Sequence, residues 1–274
     1  MADLVRDLVA DWAARVAADR EQVERAREVP DPADYYAPAV GRFRADPRRV
    51  GDDVLAVLLE LARETDVWLD VGAGAGRYAL PLALHVREVI AVEPSASMAG
   101  ALLEDARDLD IDNVQVIEER WPMDGGPQAD VGLMAHLGYD IGDIRPFLDA
   151  FEAASQRLCV AVMGESAMTT VATLFWQDIH GEPRVRLPAM PELVALLRTR
   201  GRVPDVRWVG RVPPSFGSVD EALAMARRQL WLREGIAKDH RLAALVRERL
   251  RERDGRFTFD EQPSWIGIAT WIPR

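Results

Sequence analysis

The sequence predicts a doubly wound α/β fold built on a seven-stranded, mostly parallel sheet. Two observations carry this. From Asp66 onward, short apolar runs alternate with amphipathic stretches, the pattern of strands wrapped by crossover helices. The first such unit also contains Asp70-Val71-Gly72-Ala73-Gly74-Ala75-Gly76-Arg77, a glycine turn between the apolar Val67-Trp68-Leu69 and the helix-like Tyr78 to Val86. Val89-Ile90-Ala91-Val92 then reads as a second strand and closes on Glu93. A glycine-rich first turn followed by an acid at the end of the next strand makes a nucleotide-binding half-fold.

Taken in order, residues 2–28 read as one helix, with Leu8, Trp12, Val16 and Val23 near helical spacing and charges between them. Pro30 and Pro32 end it. A proline-containing loop follows with Tyr35-Tyr36-Ala37-Pro38 and Phe43-Arg44, and a second helix runs from about Arg49 to Arg63. The expected strands are 67–71, 88–92, 114–117, 129–134, 157–163, 205–212 and 264–272. The expected helices between them lie near 77–86, 95–109, 143–155 and 190–200. Residues 164–189 and 213–262 interrupt this alternation, and the second insertion holds helices near 219–233 and 238–253. The predicted organisation is an N-terminal helical cap over 1–48 and a nucleotide-binding domain over 49–274 that carries a helical lid at about 213–262. The crowded Arg and Glu residues of 247–254 read as a solvated helix face.

Composition narrows the function class. Apolar content of 49% suits a full globular core. No run approaches the ~18 consecutive apolar residues of a membrane span, and the charged first thirty residues contain no signal-peptide core. The single cysteine, Cys159, cannot form an internal disulfide, so a cytoplasmic protein is expected. A net charge of −11 disfavours a broad nucleic-acid footprint. The four histidines show no metal-ligand spacing, and no metal site is expected.

The glycine spacing narrows the ligand. A dinucleotide fingerprint needs a third glycine where Arg77 stands. The run Asp70-x-Gly72-x-Gly74-x-Gly76 instead resembles motif I of the class I S-adenosylmethionine (SAM)-dependent methyltransferases, a resemblance that covers about residues 50–163. Glycines there let a sulfonium amino acid lie against bare backbone. The resemblance implies a Rossmann-like methyltransferase fold whose seventh strand runs antiparallel between strands five and six. It also implies SAM as cofactor. Asp70, Gly72, Ala73, Gly74 and Gly76 would then hold the amino-acid end. Glu93, beside Pro94, would accept the ribose hydroxyls, and Met98 would pack on the adenine face. Where many relatives have Gly-Asp-Ala after strand three, with the acid on the adenine amino group, this chain has Arg120 and Trp121. A backbone amide of either, with the Trp121 ring, would replace part of that contact.

Strand four ends in Ala135-His136-Leu137-Gly138-Tyr139-Asp140. Ligands in open α/β sheets bind at the carboxyl ends of the strands, so Ala135 falls beside the cofactor and His136 is the candidate general base, its ordinary pKa being near physiological pH. Tyr139, Asp140, Tyr35 and Tyr36 are candidate acceptor contacts, and Phe43, Phe175, Trp176 and Trp231 are further candidate walls. His180 is read as lying in a surface loop. Neither an Asn/Asp-Pro-Pro-Tyr motif nor a usable nucleophilic cysteine is present, which excludes two routes to nucleobase methylation. The expected function is SAM-dependent methyl transfer to a small-molecule acceptor, by a monomer or homodimer. The alternatives are a non-catalytic SAM-binding regulator of the same fold and, disfavoured by charge, an RNA methyltransferase. A nicotinamide-dependent oxidoreductase stands further off because of Arg77.

Overall fold

The computed structural model describes residues 2–167, 170–260 and 264–273. Its main sheet contains β1 (Val67–Val71), β2 (Glu88–Val92), β3 (Val114–Ile117), β4 (Ala129–Ala135), β5 (Ser155–Gly164) and β6 (Asp205–Gly210). Three short strands follow, β7 (Ser215–Phe216), β8 (Leu250–Arg253) and β9 (Arg256–Phe259), and then β10 (Trp265–Trp271), which returns to the main sheet. The order is β3-β2-β1-β4-β5-β10-β6, and β10 pairs antiparallel with both neighbours while the remaining pairs are parallel. This is the expected seven-stranded arrangement, with the reversed strand between the fifth and sixth.

Alternation along the strands sorts the core into two layers. Leu69 and Val71 face the same side as Trp12 and Val16 of α1 (Ala2–Ala26), Phe147 and Phe151 of α5 (Ile144–Ala154), and Leu193 and Leu197 of α7 (Met190–Thr199). Trp68 points to the other side, onto Leu55 and Leu58 of α2 (Asp53–Leu61), Leu80 and Leu82 of α3 (Ala79–Ala83), and Leu102 of α4 (Ala96–Asp108). Asp52 caps α2 by accepting from the Leu55 amide at 3.1 Å, and Ser95 caps α4 through the Met98 amide. The first helix does more than cover the domain. Trp12 and Val16 are buried in the core, Trp12 Nε1 donates to the Ile141 carbonyl at 2.9 Å, and Arg20 donates to the Asp140 carbonyl. It thereby ties down the segment that follows β4.

The insertions differ from expectation. Residues 170–180 form helix α6 (Thr170–His180), so His180 ends a helix rather than sitting in a loop, and it contacts the Leu230 carbonyl at 3.2 Å. The expected helix over 238–253 stops earlier. Helix α9 (Ala237–Arg249) ends where Leu250 turns extended, and 250–253 pair with β9 in a β7-β9-β8 sheet. The charged 250–253 segment, largely exposed, has no alternating apolar signal to announce a strand. These pieces and α8 (Val219–Gln229) bury Phe175, Trp176, Phe216, Leu230, Leu242 and Phe259 in a third core. Phe175 and Trp176, expected as candidate walls, are fully buried there. Among the described residues no helix is long and apolar enough to cross a membrane.

Gly76 shows how tightly the glycine turn is packed. Its φ is +82°, and a Cβ there would lie 2.9 Å from Leu80 Cγ and 3.0 Å from Leu102 Cγ. Gly76→Ala should therefore cost about 2–4 kcal/mol, combining left-handed strain with overpacking. Chemical denaturation would check this, and an unchanged midpoint would remove the packing role.

Candidate functional site

The site lies at the carboxyl ends of β1, β2 and β4. After Val71 the chain turns through Gly72, Gly74 and Gly76, all at positive φ. The Gly72 and Ala73 amides donate to the Val92 carbonyl at 2.8 and 3.2 Å, which holds the turn against the end of β2. Gly74 is the open point: a Cβ there would meet nothing within 4 Å, whereas one at Gly72 would press on Leu137 Cδ2 at 3.0 Å. Gly74 is thus the bare backbone a ligand can approach, while Gly76 serves helix packing, a division the spacing alone did not show.

Two buried carboxylates flank this turn. Glu93 accepts from the Gly74 amide through Oε2 and from the Ser95 amide through Oε1, each at 2.8 Å. Each oxygen keeps a further lone pair for a hydroxyl donor. Burial pushes the Glu93 carboxyl up, and those amides pull it back. Asp70 is 2% exposed, and its Oδ1 is enclosed without a hydrogen-bond partner among the described residues. Burial, then the charge of Glu93, raises the Asp70 carboxyl to about 7. A buried polar atom without a partner costs free energy that a donor ligand would recover.

A third carboxylate comes from the loop after α1. Asp34 Oδ2 accepts from Ser95 Oγ at 2.8 Å and from the Ser97 amide at 3.2 Å, fastening the loop to the start of α4. Hydrogen bonds from Ser97 and Ser95 hold the Asp34 carboxyl down at about 2, although desolvation opposes them. Beyond it, Ala37–Arg42 form a 3-10 helix, and Val40 with Phe43 packs on Met98, Ala75 and Ala101. Met98 is therefore covered by the chain itself. Tyr36 meets Phe43 edge-on at 5.6 Å, and burial, then the charges of Asp140 and Glu93, raise its hydroxyl. Tyr35 packs on Trp231 at 5.4 Å, and Arg228 lies over the Tyr35 ring and donates to its carbonyl. Arg42 pairs with Glu221 of α8.

His136 occupies the end of β4 in a left-handed conformation, φ +56°, with its amide donating to the Val162 carbonyl at 2.7 Å. Its Nε2 lies 3.4 Å from the Tyr78 hydroxyl, and its Nδ1 is enclosed without a partner among the described residues. Burial, reinforced by Arg77 and opposed by Asp52, lowers the imidazole to about 4, so it is neutral at physiological pH. Arg77 pairs with Asp52 and sits over the Tyr78 ring. Tyr139 is buried, and its hydroxyl accepts from the Gly164 amide at 2.7 Å.

The sequence candidates thus divide. Asp70, Gly72, Gly74, Glu93, Ala135 and His136 gather at one rim, with Tyr36 and Asp140 within electrostatic reach of one another. Ala73 is buried on the α2/α3 side, Pro94 is exposed beside Glu93, and Arg120 is exposed after β3. Trp121 is buried in the core on the α1/α5 side, with Nε1 enclosed and unpartnered among the described residues. Asp34, Tyr78 and Arg77 are the site residues the sequence did not reveal. Tyr78 follows the glycine run directly, and that adjacency was the signal available.

No family model matches the chain. Over 104 residues, 38% of this chain, it is 32% identical to the tRNA/tmRNA (uracil-C(5))-methyltransferase of Pseudomonas aeruginosa, and it spans 29% of that relative's length. Among solved structures, the YcgJ protein of Bacillus subtilis superposes with a TM-score of 0.58 at 15% identity, covering 82% of this chain and 99% of that one. Magnesium protoporphyrin IX methyltransferase from Synechocystis, solved with bound S-adenosylhomocysteine (SAH), gives 0.53 at 13% identity over 86% of this chain and 95% of that one. Coclaurine N-methyltransferase, bound to N-methylheliamine and SAH, gives 0.50 at 13% identity over 98% of this chain and 93% of that one. The fold is that of the class I SAM-dependent methyltransferases.

Proposed function

We propose that this chain is a SAM-dependent methyltransferase that acts in the cytoplasm on a small-molecule acceptor by in-line displacement. The carrying observation is the buried Asp70 carboxyl, unpartnered at Oδ1, beside a turn opened by Gly74 and gripped by Glu93. These are the donor and acceptor groups that an α-amino acid joined to a nucleoside needs. In this reading Asp70, Gly72, Ala73 and Gly74 hold the amino-acid end, with Gly76 shaping the turn. Glu93 and Pro94 flank the ribose, and Arg120 and Ala135 border the adenine side, with Met98 and Trp121 supporting it from the core. When bound, SAM supplies a methyl group already activated on a sulfonium, so the chain must chiefly align its partners and exclude water.

The cap over 1–48 and the lid at about 213–262 serve that exclusion. Their meeting through Tyr35, Trp231, Arg228, Arg42 and Glu221 supports this role. Tyr35, Tyr36, Tyr139 and Asp140 border the acceptor. His136 takes the acceptor's proton, with Tyr78 orienting the ring. A base with a pKa of about 4 is weak at neutral pH, so its share should fall below the roughly 10²-fold low end of general-base contributions. His136→Gln should lower kcat about tenfold with SAM affinity unchanged. An unaltered kcat would reduce His136 to packing.

The similarity to a tRNA methyltransferase favours a second reading, an RNA acceptor. Two observations weigh against it. The net charge is −11, and burial raises the thiol of Cys159, the single cysteine, to about 12, which denies the chain a cysteine nucleophile for pyrimidine C5. Calorimetric titration with SAM, SAH and NAD tests the cofactor. Micromolar SAM or SAH binding, lost in both Asp70→Ala and Glu93→Ala, is the expected result. A folded protein that binds neither would overturn the reading. Release of SAH with an acceptor separates an enzyme from a non-catalytic SAM-binding protein.

A further inference from the structure

The edge of the main sheet carries an aromatic notch outside the cofactor site. The ladder pairs Trp265 with Gly210, and Gly267 with Trp208. On β5, Met163 faces Gly267 and Gly164 faces Ile266, which sets Glu165, one residue on, beside Trp265, where its amide donates to the Trp265 carbonyl at 2.9 Å. Residues in register share a face. Glu165, Trp265 and Gly210 therefore form one row across three strands, and Met163, Gly267 and Trp208 the next. Each indole stands opposite a glycine. A Cβ at Gly210 would meet nothing within 4 Å, and one at Gly267 would strike Met190 Cγ at 2.6 Å and Trp208 Cζ3 at 3.1 Å. Met190 and Trp208 fill the place a Gly267 side chain would take, the place beside Gly210 stays empty, and an open cavity of about 250 Å³ is lined by Glu165, Trp208 and Trp265. Both indoles are large apolar groups left open, 44% exposed at Trp208 and 48% at Trp265.

The charge around the notch is sorted. Along β6 the cations alternate to the opposite face. Arg207 pairs with Glu60 of α2 at 2.5 Å, Val209 packs with the α2/α3 core, and Arg211 continues the ladder and reaches Ser264 Oγ at 3.4 Å. The notch face presents two indole faces and one carboxylate. An indole face attracts a cation by its quadrupole, more strongly as the pair is desolvated. An anion would meet Glu165, and a neutral apolar group would gain only contact area. The volume falls below the ~300 Å³ at which sites for drug-sized ligands begin, so it suits a head group.

We propose that this notch binds the ammonium head of a small organic cation, with its carbons against Trp208 and Trp265 and its charge toward Glu165. It lies on the same rim as the cofactor site, one residue beyond Gly164, whose amide holds the Tyr139 hydroxyl. Binding there needs no methyl transfer, so the notch and the enzymatic reading stand or fall separately.

Choline is the probe, and its neutral isostere 3,3-dimethylbutan-1-ol is the control. The full chain, with its eight tryptophans replaced by 5-fluorotryptophan, gives a fluorine NMR readout. Choline should shift two resonances saturably, those lost in Trp208→Phe and Trp265→Phe, and the alcohol should leave both in place. Trp208→Ala, Trp265→Ala and Glu165→Gln change exposed or rim positions and should each weaken choline about five- to tenfold. Shifts of equal size with the alcohol, shifts confined to other tryptophans, or no shift would overturn the assignment.

Discussion

Between pH 7 and pH 5, SAM should lose roughly 50-fold in affinity for this chain, and Asp70→Asn should abolish that dependence. Burial and the neighbouring Glu93 hold the Asp70 carboxyl at about 7 in the free protein. At pH 7 half the molecules carry the charge; at pH 5 about one in a hundred does. A ligand whose α-amino group stays protonated across this range selects the charged form, and its apparent affinity scales with that fraction. Calorimetry at pH 6 in buffers of different ionisation enthalpy should register proton release on binding. In Asp70→Asn the affinity should be weak at every pH and the release absent. Affinity that is flat from pH 5 to 7 in the unaltered chain would mean Asp70 does not face the ligand's charge. The same shift governs stability. Folded Asp70 keeps its proton between its unfolded value near 3.8 and about 7, so its contribution is present at low pH and lost as pH rises through 7. The thermal shift produced by SAM should therefore be largest above pH 7.

This acid was legible because its position is local. Asp70 and Glu93 close two adjacent strands, and strand bounds such as 67–71, 88–92 and 114–117 coincide with the structure. The apolar runs are short and bounded by charge or glycine, and those of β1 and β2 are buried, which a pattern of apolar runs reads well. What escaped is non-local. Asp34 reaches α4 across sixty-one residues of chain, and no pattern within its own loop announces that partner. Trp121 and Met98 carry side chains that suit either a ring contact or a core, and tertiary packing decides: Trp121 joins the α1/α5 layer and Met98 lies under Phe43. The hairpin at 250–259 was hidden because exposed strands on a small sheet need no apolar alternation. Helix α6 was hidden by its place in an insertion, where an irregular loop was the simpler expectation.

Glu152→Ala should destabilise the fold by about 3–5 kcal/mol while leaving SAM affinity of the folded fraction intact. Glu152 is 5% exposed at the end of α5. Its Oε1 accepts from Arg202 Nε at 2.7 Å and Trp271 Nε1 at 2.9 Å, and its Oε2 accepts from Arg202 at 2.6 Å and Arg200 at 3.0 Å. One carboxylate thus joins α5, the segment after α7 and the end of β10. Because β10 runs antiparallel, Trp271 marks the rim opposite Gly164, away from the glycine turn. Removing the acid leaves the buried Arg202 guanidinium and the Trp271 indole without that acceptor, and a buried charge deprived of its partner dominates the cost. Replacing both ends, Glu152→Leu with Arg202→Leu, should recover much of the loss, since no uncompensated charge remains. A double variant as unstable as Glu152→Ala would assign the cost to packing instead. Burial opposes the Glu152 charge, but Arg202, Arg200 and Trp271 outweigh it and hold the carboxyl below its ordinary value. Its stabilisation is therefore present at neutral pH and lost as pH falls below about 4.5, the reverse of Asp70. The two acids thus bend opposite limbs of the stability curve: Glu152 lowers it as pH falls below about 4.5, and Asp70 lowers it as pH rises toward 7. Glu152→Ala should flatten its acid limb, and Asp70→Asn should raise its neutral one.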